Sequence, residues 1–355
     1  MPTVEHLLQS LVNSGQTPSV QYGFFNKDEV LHSFRYGYAD IANAKPVTEG
    51  STINCYSITK TFTAVAILQL MESGALNVDA PACKYYPNFP YSNDITIRHL
   101  MSHTSGLPNP LPLNWIHLPE EHKSFNRNVF FDRVFKQAKQ KAKPGERFAY
   151  SNLGYVLLGR IIENLSGKCY EDYISANILQ RISVTNDVLG FNINPANHAK
   201  GYQKQLSLMN LLLGFMLDKN KYMGPAENGW KPFEPNYVNG TSYGGLIGST
   251  EGLVKYIQAL LSDKHPLLKP ETQNLMFSEN LTTSGKHTGM CLGWYKGELL
   301  NKSYYTHAGG GGGYYCEMRI YPEQKLGSVI MFNRTGVSDE RFLSKPDSLL
   351  LNALV

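Results

Sequence analysis

The sequence predicts an α+β fold: one antiparallel sheet flanked by helices and built from both chain ends, plus an inserted, mainly helical lobe. Three observations carry this. Residues 19–25 and 30–38 alternate well enough for strands around Asn26-Lys-Asp-Glu29, which reads as a hairpin. Strand-like runs return only after residue 290, at 291–295, 304–307, 314–321 and 327–332. Between the two sets, apolar positions recur at helical spacing. Strands at both termini pair most simply in one sheet, with the helical middle inserted. The expected division is 1–75 together with 245–355 as an α/β lobe and 76–244 as the helical lobe. The two make one catalytic unit with the cleft between them. A length of 355 residues accommodates such a two-lobed unit.

The elements follow in order. Residues 4–14 read as a short amphipathic helix ahead of the first hairpin. The apolar run after Ser57 predicts a helix over 57–73 that stops at Gly74, a residue suited to a helix C-terminal cap. A short helix is expected over 95–102, a polar one over 124–142, and a strongly apolar one over 152–165 that ends at Ser166-Gly167. The Pro-rich stretch 107–119 and residues 191–240, with their Gly, Asn and Pro, are expected to be irregular. A helix over 250–261 precedes the late strands, and a last helix covers roughly 338–354. There is no internal repeat, and only Gly309–Gly313 is of low complexity.

Composition excludes several classes. Hydrophobic residues make up 42% and charged residues 17%, so a packed core is expected rather than disorder. The net charge of +4 is spread without basic blocks, which gives no nucleic-acid partner. No run of about 18 apolar residues suggests a membrane span. Met1-Pro-Thr-Val-Glu-His-Leu-Leu8 lacks a basic region followed by an apolar core. The expectation is therefore no signal peptide and a cytoplasmic location, with a mature fragment of an exported protein as the alternative. Five cysteines, at 55, 83, 169, 291 and 316, are odd in number, widely spaced and without CxxC pairs. That pattern argues against a disulfide framework and a zinc site and fits a reducing compartment. No cofactor is expected, and the sequence carries no signal for an oligomeric state.

The most informative local feature is Ser57-Ile-Thr-Lys60 at the head of the apolar run. Residues three apart share a helix face, with Cβ atoms about 5–6 Å apart. A serine hydroxyl is a weak nucleophile until a neighbour takes its proton, and a half-buried lysine of depressed pKa can do so. The helix N-terminus adds N–H groups that favour developing negative charge. Alone, the tetrapeptide reads more readily as an N-cap serine and a solvated lysine. Three further signals change the weighting. Tyr150-Ser151-Asn152 opens the apolar helix 152–165; a tyrosine near a cation can relay a proton, and an asparagine offers a donor and an acceptor. Its bland reading is a core tyrosine before a helix cap. His307-Ala308-Gly309-Gly310 ends a strand, where glycines admit close approach and an edge N–H can serve as an oxyanion donor. Its bland reading is a glycine turn. His99 and His103 lie four apart, but no HExxH glutamate accompanies them. A structural role at a helix end, with His103, Thr104 and Ser105 capping backbone groups, is preferred to metal binding.

In this order the three elements resemble those of the serine β-lactamase and penicillin-binding-protein superfamily: Ser-x-x-Lys, Ser-Asp-Asn and Lys-Thr-Gly. The Tyr-Ser-Asn form is similar to the class C-like branch, which includes D-aminopeptidases, D-Ala-D-Ala carboxypeptidases and family VIII esterases. The likeness runs from about 15 to 335. It is supported by Leu100-Met-Ser-His-Thr-Ser-Gly-Leu107, Pro144-Gly-Glu-Arg-Phe-Ala-Tyr-Ser-Asn-Leu-Gly-Tyr155, Gly244-Gly-Leu-Ile-Gly-Ser-Thr-Glu251 and Leu292-Gly-Trp294. The resemblance implies a β-lactamase/transpeptidase-like fold and a set of roles. Ser57 is the acyl-accepting nucleophile. Lys60 and Tyr150 share base and acid work. Asn152 bonds Lys60 and substrate. The N–H groups of Ser57 and Gly310 form the oxyanion hole, and His307 stands where the family's strand lysine stands.

That last position departs from the β-lactamases. His307-Ala308-Gly309 offers a group only partly charged near neutral pH and no hydroxyl, so a substrate carboxylate should be held less well. Histidine here is common among the esterase and peptidase-like relatives. The expected function is therefore an esterase-like serine hydrolase acting on a small-molecule acyl ester or amide through an acyl-enzyme. The alternatives are a β-lactamase or D-Ala-D-Ala carboxypeptidase/D-aminopeptidase, and a non-catalytic binding protein on the same fold. Other serine-hydrolase folds are set aside on the expectation that the chain has no G-x-S-x-G elbow, and Cys55 lacks a histidine at a recognisable spacing.

Overall fold

The computed structural model describes residues 3–110, 114–335 and 341–353, with the side chains of residues 209 and 212 outside the described set. Its main sheet has seven antiparallel strands: β1 Ser19–Asn26, β2 Val30–Asp40, β3 Lys45–Pro46, β4 Tyr295–Leu299, β5 Lys302–Gly311, β6 Tyr314–Tyr321 and β7 Leu326–Phe332. Their order is β4-β5-β6-β7-β1-β2-β3. The chain's two ends meet where β1 pairs with β7, from Val20 opposite Phe332 to Asn26 opposite Leu326. This is the sheet expected from the sequence. β6 and β7 are buried at every residue because helices cover both faces of the sheet, which is why they read as unbroken apolar runs.

Helices Val4–Asn13 and Ser344–Ala353 cover the outer face, where Val4, Leu8 and Leu351 pack with Tyr22, Phe24, Ile330 and Phe332. Helix Thr250–Leu261 lies on the inner face, so close that a Cβ on Gly23 would stand 3.5 Å from Thr250 and Val254 side chains. Helix Thr59–Glu72 runs through the middle of the main core, with every residue from Thr59 to Leu68 buried. A helix apolar on all sides has no face to give to water, so the core closes around it. Its threonines satisfy their hydroxyls locally, Thr59 to Tyr56 O at 2.6 Å and Thr61 to Ile58 O at 2.9 Å. It ends at Ser73, followed by Gly74 at φ +77 as expected.

Several boundaries differ from the sequence expectation. The polar helix 124–142 is only Arg127–Gln137, because Ala138 is already extended and the following chain bonds to loop 103–106 instead. The run 291–295 is a strand only from Tyr295. Gly293, at φ +83, presses on helix 59–72, where a Cβ would come 2.7 Å from that of Ala64. Residues 191–240 are not irregular throughout. They hold helices Leu208–Met216 and Lys219–Tyr222 and the strand pair Tyr202–Lys204 with Trp230–Pro232. Helices Tyr170–Ile174 and Pro270–Phe277 also went unforeseen. The last helix begins at Ser344; residues 338–340 and 354 of its expected span, and 111–113 of the Pro-rich stretch, lie outside the described residues. Among the described residues no helix is long and apolar enough to cross a membrane.

Candidate active site

Ser57 sits in the 3-10 turn Tyr56–Ile58 that leads into helix 59–72. Tyr56 has φ +44, a left-handed conformation costly for a bulky residue, and the surroundings hold it there. Its hydroxyl donates to Gly312 O at 2.9 Å. The turn is pressed against β5. A Cβ on Gly309 would lie 2.0 Å from Cys55 O and 3.0 Å from Ser57 N, and one on Gly311 would lie 2.5 Å from the Tyr56 ring. These two glycines therefore set the distance between the strand and Ser57. β4 pairs with β5 only as far as Thr306, which leaves the 307–311 edge to face the turn.

Lys60 is fully buried, one turn on from Ser57. Its Nζ donates to Ser57 Oγ at 2.9 Å and to Tyr243 O at 2.8 Å, and lies 5.0–5.5 Å from the ring centroids of Tyr150, Tyr155 and Tyr243. Among the described ion pairs none involves Lys60. Burial without a counter-ion holds its pKa well below the ordinary lysine value, which suits it to take up a proton. Tyr150 OH shares a 2.8 Å hydrogen bond with Ser57 Oγ. Ser57, Lys60 and Tyr150, up to 93 residues apart, thus meet at one oxygen atom.

The Tyr-Ser-Asn segment is held by a residue the sequence reading assigned only to capping. His103, at φ +56, accepts from Ser151 N at Nδ1 (3.2 Å), stacks at 4.3 Å on the Tyr150 ring, and receives Ala149 N at its carbonyl. Burial keeps it neutral. Ser151 caps helix Asn152–Ser166 and donates to Pro108 O. His99 closes a capping box with Thr96 on its own helix, and among the described residues no His, Cys, Asp and Glu group is placed to hold a metal.

Two expectations need correction. The bond between Asn152 and Lys60 is not made: Lys60 uses Tyr243 O instead, and Asn152 Oδ1 is buried without a partner. His307 is not partly charged. It is 1% exposed, and burial, with a smaller push from Lys60, lowers its pKa to about 3. Its Nδ1 lies 2.8 Å from Ala308 O, which only accepts; Nδ1 therefore carries the proton, and Nε2 is a buried, unpartnered acceptor. Ala308 turns to the outer layer and packs there, while His307 and Gly309 face helix 59–72. Gly310 is exposed on the open edge and lines the same cavity as Ser57.

That cavity, about 90 Å³, is walled by Trp115, Leu213, Leu217, Phe233, Val238 and Tyr243, with Ser57, Asn152 and Gly310 as its polar edge. Tyr243 and Trp115 were legible only as aromatics. A G-x-S-x-G string does occur, at Gly240–Gly244, against expectation. It is no elbow: Ser242 is buried on the short helix Thr241–Gly244 and donates to Tyr155 O at 2.9 Å.

A serine hydroxyl held between a buried lysine and a tyrosine, in the turn that leads into a core helix, is the arrangement of those serine hydrolases that have lysine where others have histidine. Residues 4–350 match the family model described as Beta-lactamase, and the chain belongs to that family, which is typically one of hydrolytic serine enzymes. Penicillin-binding protein 4* of Bacillus subtilis (strain 168) is 28% identical over 322 residues, 86% of this chain and 66% of that protein. The chain spans about two thirds or less of the length of the curated relatives it matches. Among solved structures, the octameric penicillin-binding protein homologue from Pyrococcus abyssi superposes with TM-score 0.74 at 26% identity, covering 99% of this chain and 76% of that one. The D-amino acid amidase from Ochrobactrum anthropi SV3, complexed with L-phenylalanine, gives 0.79 at 22%, covering 99% and 98%, a likeness of fold.

Proposed function

We propose that this chain cleaves esters of small, neutral, largely apolar acyl groups through an acyl-Ser57 intermediate. The observation that carries this is Ser57 Oγ held 2.9 Å from Lys60 Nζ and 2.8 Å from Tyr150 OH. The Oγ–H proton passes to the Lys60–Tyr150 pair as Oγ bonds the substrate carbonyl carbon. The carbonyl oxygen takes the negative charge beside the Ser57 and Gly310 N–H groups. The pair returns the proton to the departing alkoxide as the ester C–O bond breaks. Water then repeats the sequence in place of the alcohol, freeing the acid and restoring Ser57. Asn152 Oδ1, buried and unpartnered, is available to a donor on the substrate.

The acyl preference rests on His307 and the cavity. A neutral imidazole whose one N–H is turned to Ala308 O gives a carboxylate neither a cation nor a donor, and the apolar walls favour hydrocarbon. The second reading, action on β-lactam or D-peptide amides, draws on the relative named penicillin-binding protein 4*. We place the catalytic cleft between a lobe of 1–75 with 245–355 and one of 76–244. Ser57→Ala tests the function against the non-catalytic alternative. It should lower kcat on p-nitrophenyl butyrate by about 10³-fold or more. Wild-type turnover by that variant would sink the nucleophile assignment.

A further inference from the structure

The described residues include four large apolar side chains more than 60% exposed, and all four fall within one ten-residue stretch: Leu206 at 91%, Leu208 at 72%, Leu211 at 63% and Phe215 at 85%. Leu208, Leu211 and Phe215 stand at i, i+3 and i+7 of helix 208–216, one outward stripe. The opposite side of the same segment presents Leu213 and, just past the helix, Leu217 to the Ser57 cavity. The helix therefore separates the reactive cavity from solvent by a single layer of hydrocarbon. It bears no charged residue. Lys204 and Lys219 flank it, their Nζ groups on the carbonyls of Gly15 and Asn210, and neither is in an ion pair with a carboxylate among the described residues; Asp218 caps the next helix.

We propose that this face docks on a lipid–water interface and that the ester reaching Ser57 is drawn from that phase. The second half rests on the hydrolase reading above; the docking surface does not. The helix has no charged face of its own, but an outward stripe of Leu and Phe with Lys204 and Lys219 beyond its ends can seat its side chains in the acyl boundary and its cations among the headgroups. It offers no hydrogen-bonding side chain to specify a protein partner along that stripe. The exposed patch is on the order of 500 Å², within the range of the largest apolar patch on a typical monomer, which is often functional. It falls short of the about 800 Å² per partner buried in a stable protein–protein interface, which disfavours a second copy. The cavity's 90 Å³ holds only the reacting end of a long acyl chain, and the remainder would run out beneath Leu213 and Leu217.

The test uses the full chain carrying Ser57→Ala, so that vesicles are not consumed. Sedimentation with phosphatidylcholine vesicles, with and without phosphatidylglycerol, should show binding that rises with the anionic lipid. Adding Leu208→Ser, Leu211→Ser and Phe215→Ser, all at exposed positions, should weaken that binding at least about tenfold. With Ser57 restored, the triple variant should keep turnover of dissolved p-nitrophenyl butyrate within about twofold and lose about tenfold on a long-chain ester in vesicles. Equal binding by both Ser57→Ala forms, no binding by either, or a dimer that the triple change dissociates would overturn the proposal. Vesicle binding without turnover of any ester would uphold the docking surface and overturn the hydrolase reading instead.

Discussion

Two cations are buried on opposite faces of the sheet, Lys60 on the inner side and Arg319 on the outer, both 0% exposed. Arg319 meets Glu317 at 2.9 Å, Asp347 at 4.0 Å and Ser344 Oγ at 3.2 Å, and lies 4.0 Å over the Tyr304 ring. Asp347 in turn accepts from Tyr22, Tyr321 and Ser328. Desolvation works against the guanidinium, but the two carboxylates outweigh it and raise its pKa. Lys60 has equal burial and no carboxylate, so desolvation alone acts and lowers its pKa. The same fold thus holds one buried side chain as a structural charge and gives the other a lowered pKa suited to a base. The difference lies in whether counter-ions were buried with it.

The largest expected effect is on the unpaired side. Lys60→Ala and Tyr150→Phe should each cost about 10²–10⁴-fold in kcat, the range for acid–base catalysis. The double variant should lose far less than the product. Strict multiplicativity, measured on p-nitrophenyl butyrate, would separate the two groups and break the account of Lys60 as half of a coupled base.

Next comes the paired side. Arg319→Met strands Glu317 and Asp347, and should destabilise by about 3–5 kcal/mol in urea titrations while leaving kcat per folded molecule within about twofold. Lys60→Met should do the reverse, losing activity without losing stability, because it removes the desolvation that lowers the Lys60 pKa. If both substitutions destabilise equally, the contrast between paired and unpaired burial is wrong.

A smaller effect concerns substrate. One charge-assisted hydrogen bond is worth about 1.5–3 kcal/mol. At about 1.4 kcal/mol per tenfold, kcat/KM for p-nitrophenyl butyrate should exceed that for nitrocefin by roughly 10- to 100-fold. His307→Lys, which puts a cation back on the inner face, should narrow the gap. Nitrocefin turnover above the ester rate in the unmodified chain would promote the β-lactam reading.

The smallest effect is a slope. Burial lifts Glu317 from 4.5 to about 7 despite Arg319. Between those values the folded chain binds a proton that the unfolded chain releases, so this group's stabilisation is greatest at low pH and fades as pH rises to about 7. Lys60 has the opposite sign. Below its ordinary value of 10.5 the unfolded chain is protonated and the folded one is not, so stability rises with pH above the lowered folded value. Each contributes at most about 1.4 kcal/mol per pH unit within its window. Urea midpoints at successive pH values should lose the acidic fall in Glu317→Gln and the alkaline rise in Lys60→Met. Unchanged slopes would mean the two groups titrate as they do in water.

Local pattern was enough for part of this protein. The one-turn spacing of Ser57 and Lys60, the helix 250–261, the strands 314–321 and 327–332, and the stop at Gly167 (φ +67) depend on residues close in the chain, where periodicity and glycine's freedom act directly. The family motifs placed Tyr150, Asn152, His307, Gly309 and Gly310 around the same serine. What spacing does not carry is the environment of each group. The lowered pKa of Lys60 and of His307 depends on chain segments from every part of the sequence excluding water at once. So does the passing of Asn152's expected bond to Tyr243 O, 183 residues from Lys60. His103 became the support of Tyr150 only when loop 103–106 met residues 145–151. Helix 208–216 is nearly all apolar by sequence, but only packing decided that Leu213 would face the cavity and Phe215 the solvent. Desolvation and facing are properties of all the atoms around a residue, and those neighbours are fixed by the tertiary fold.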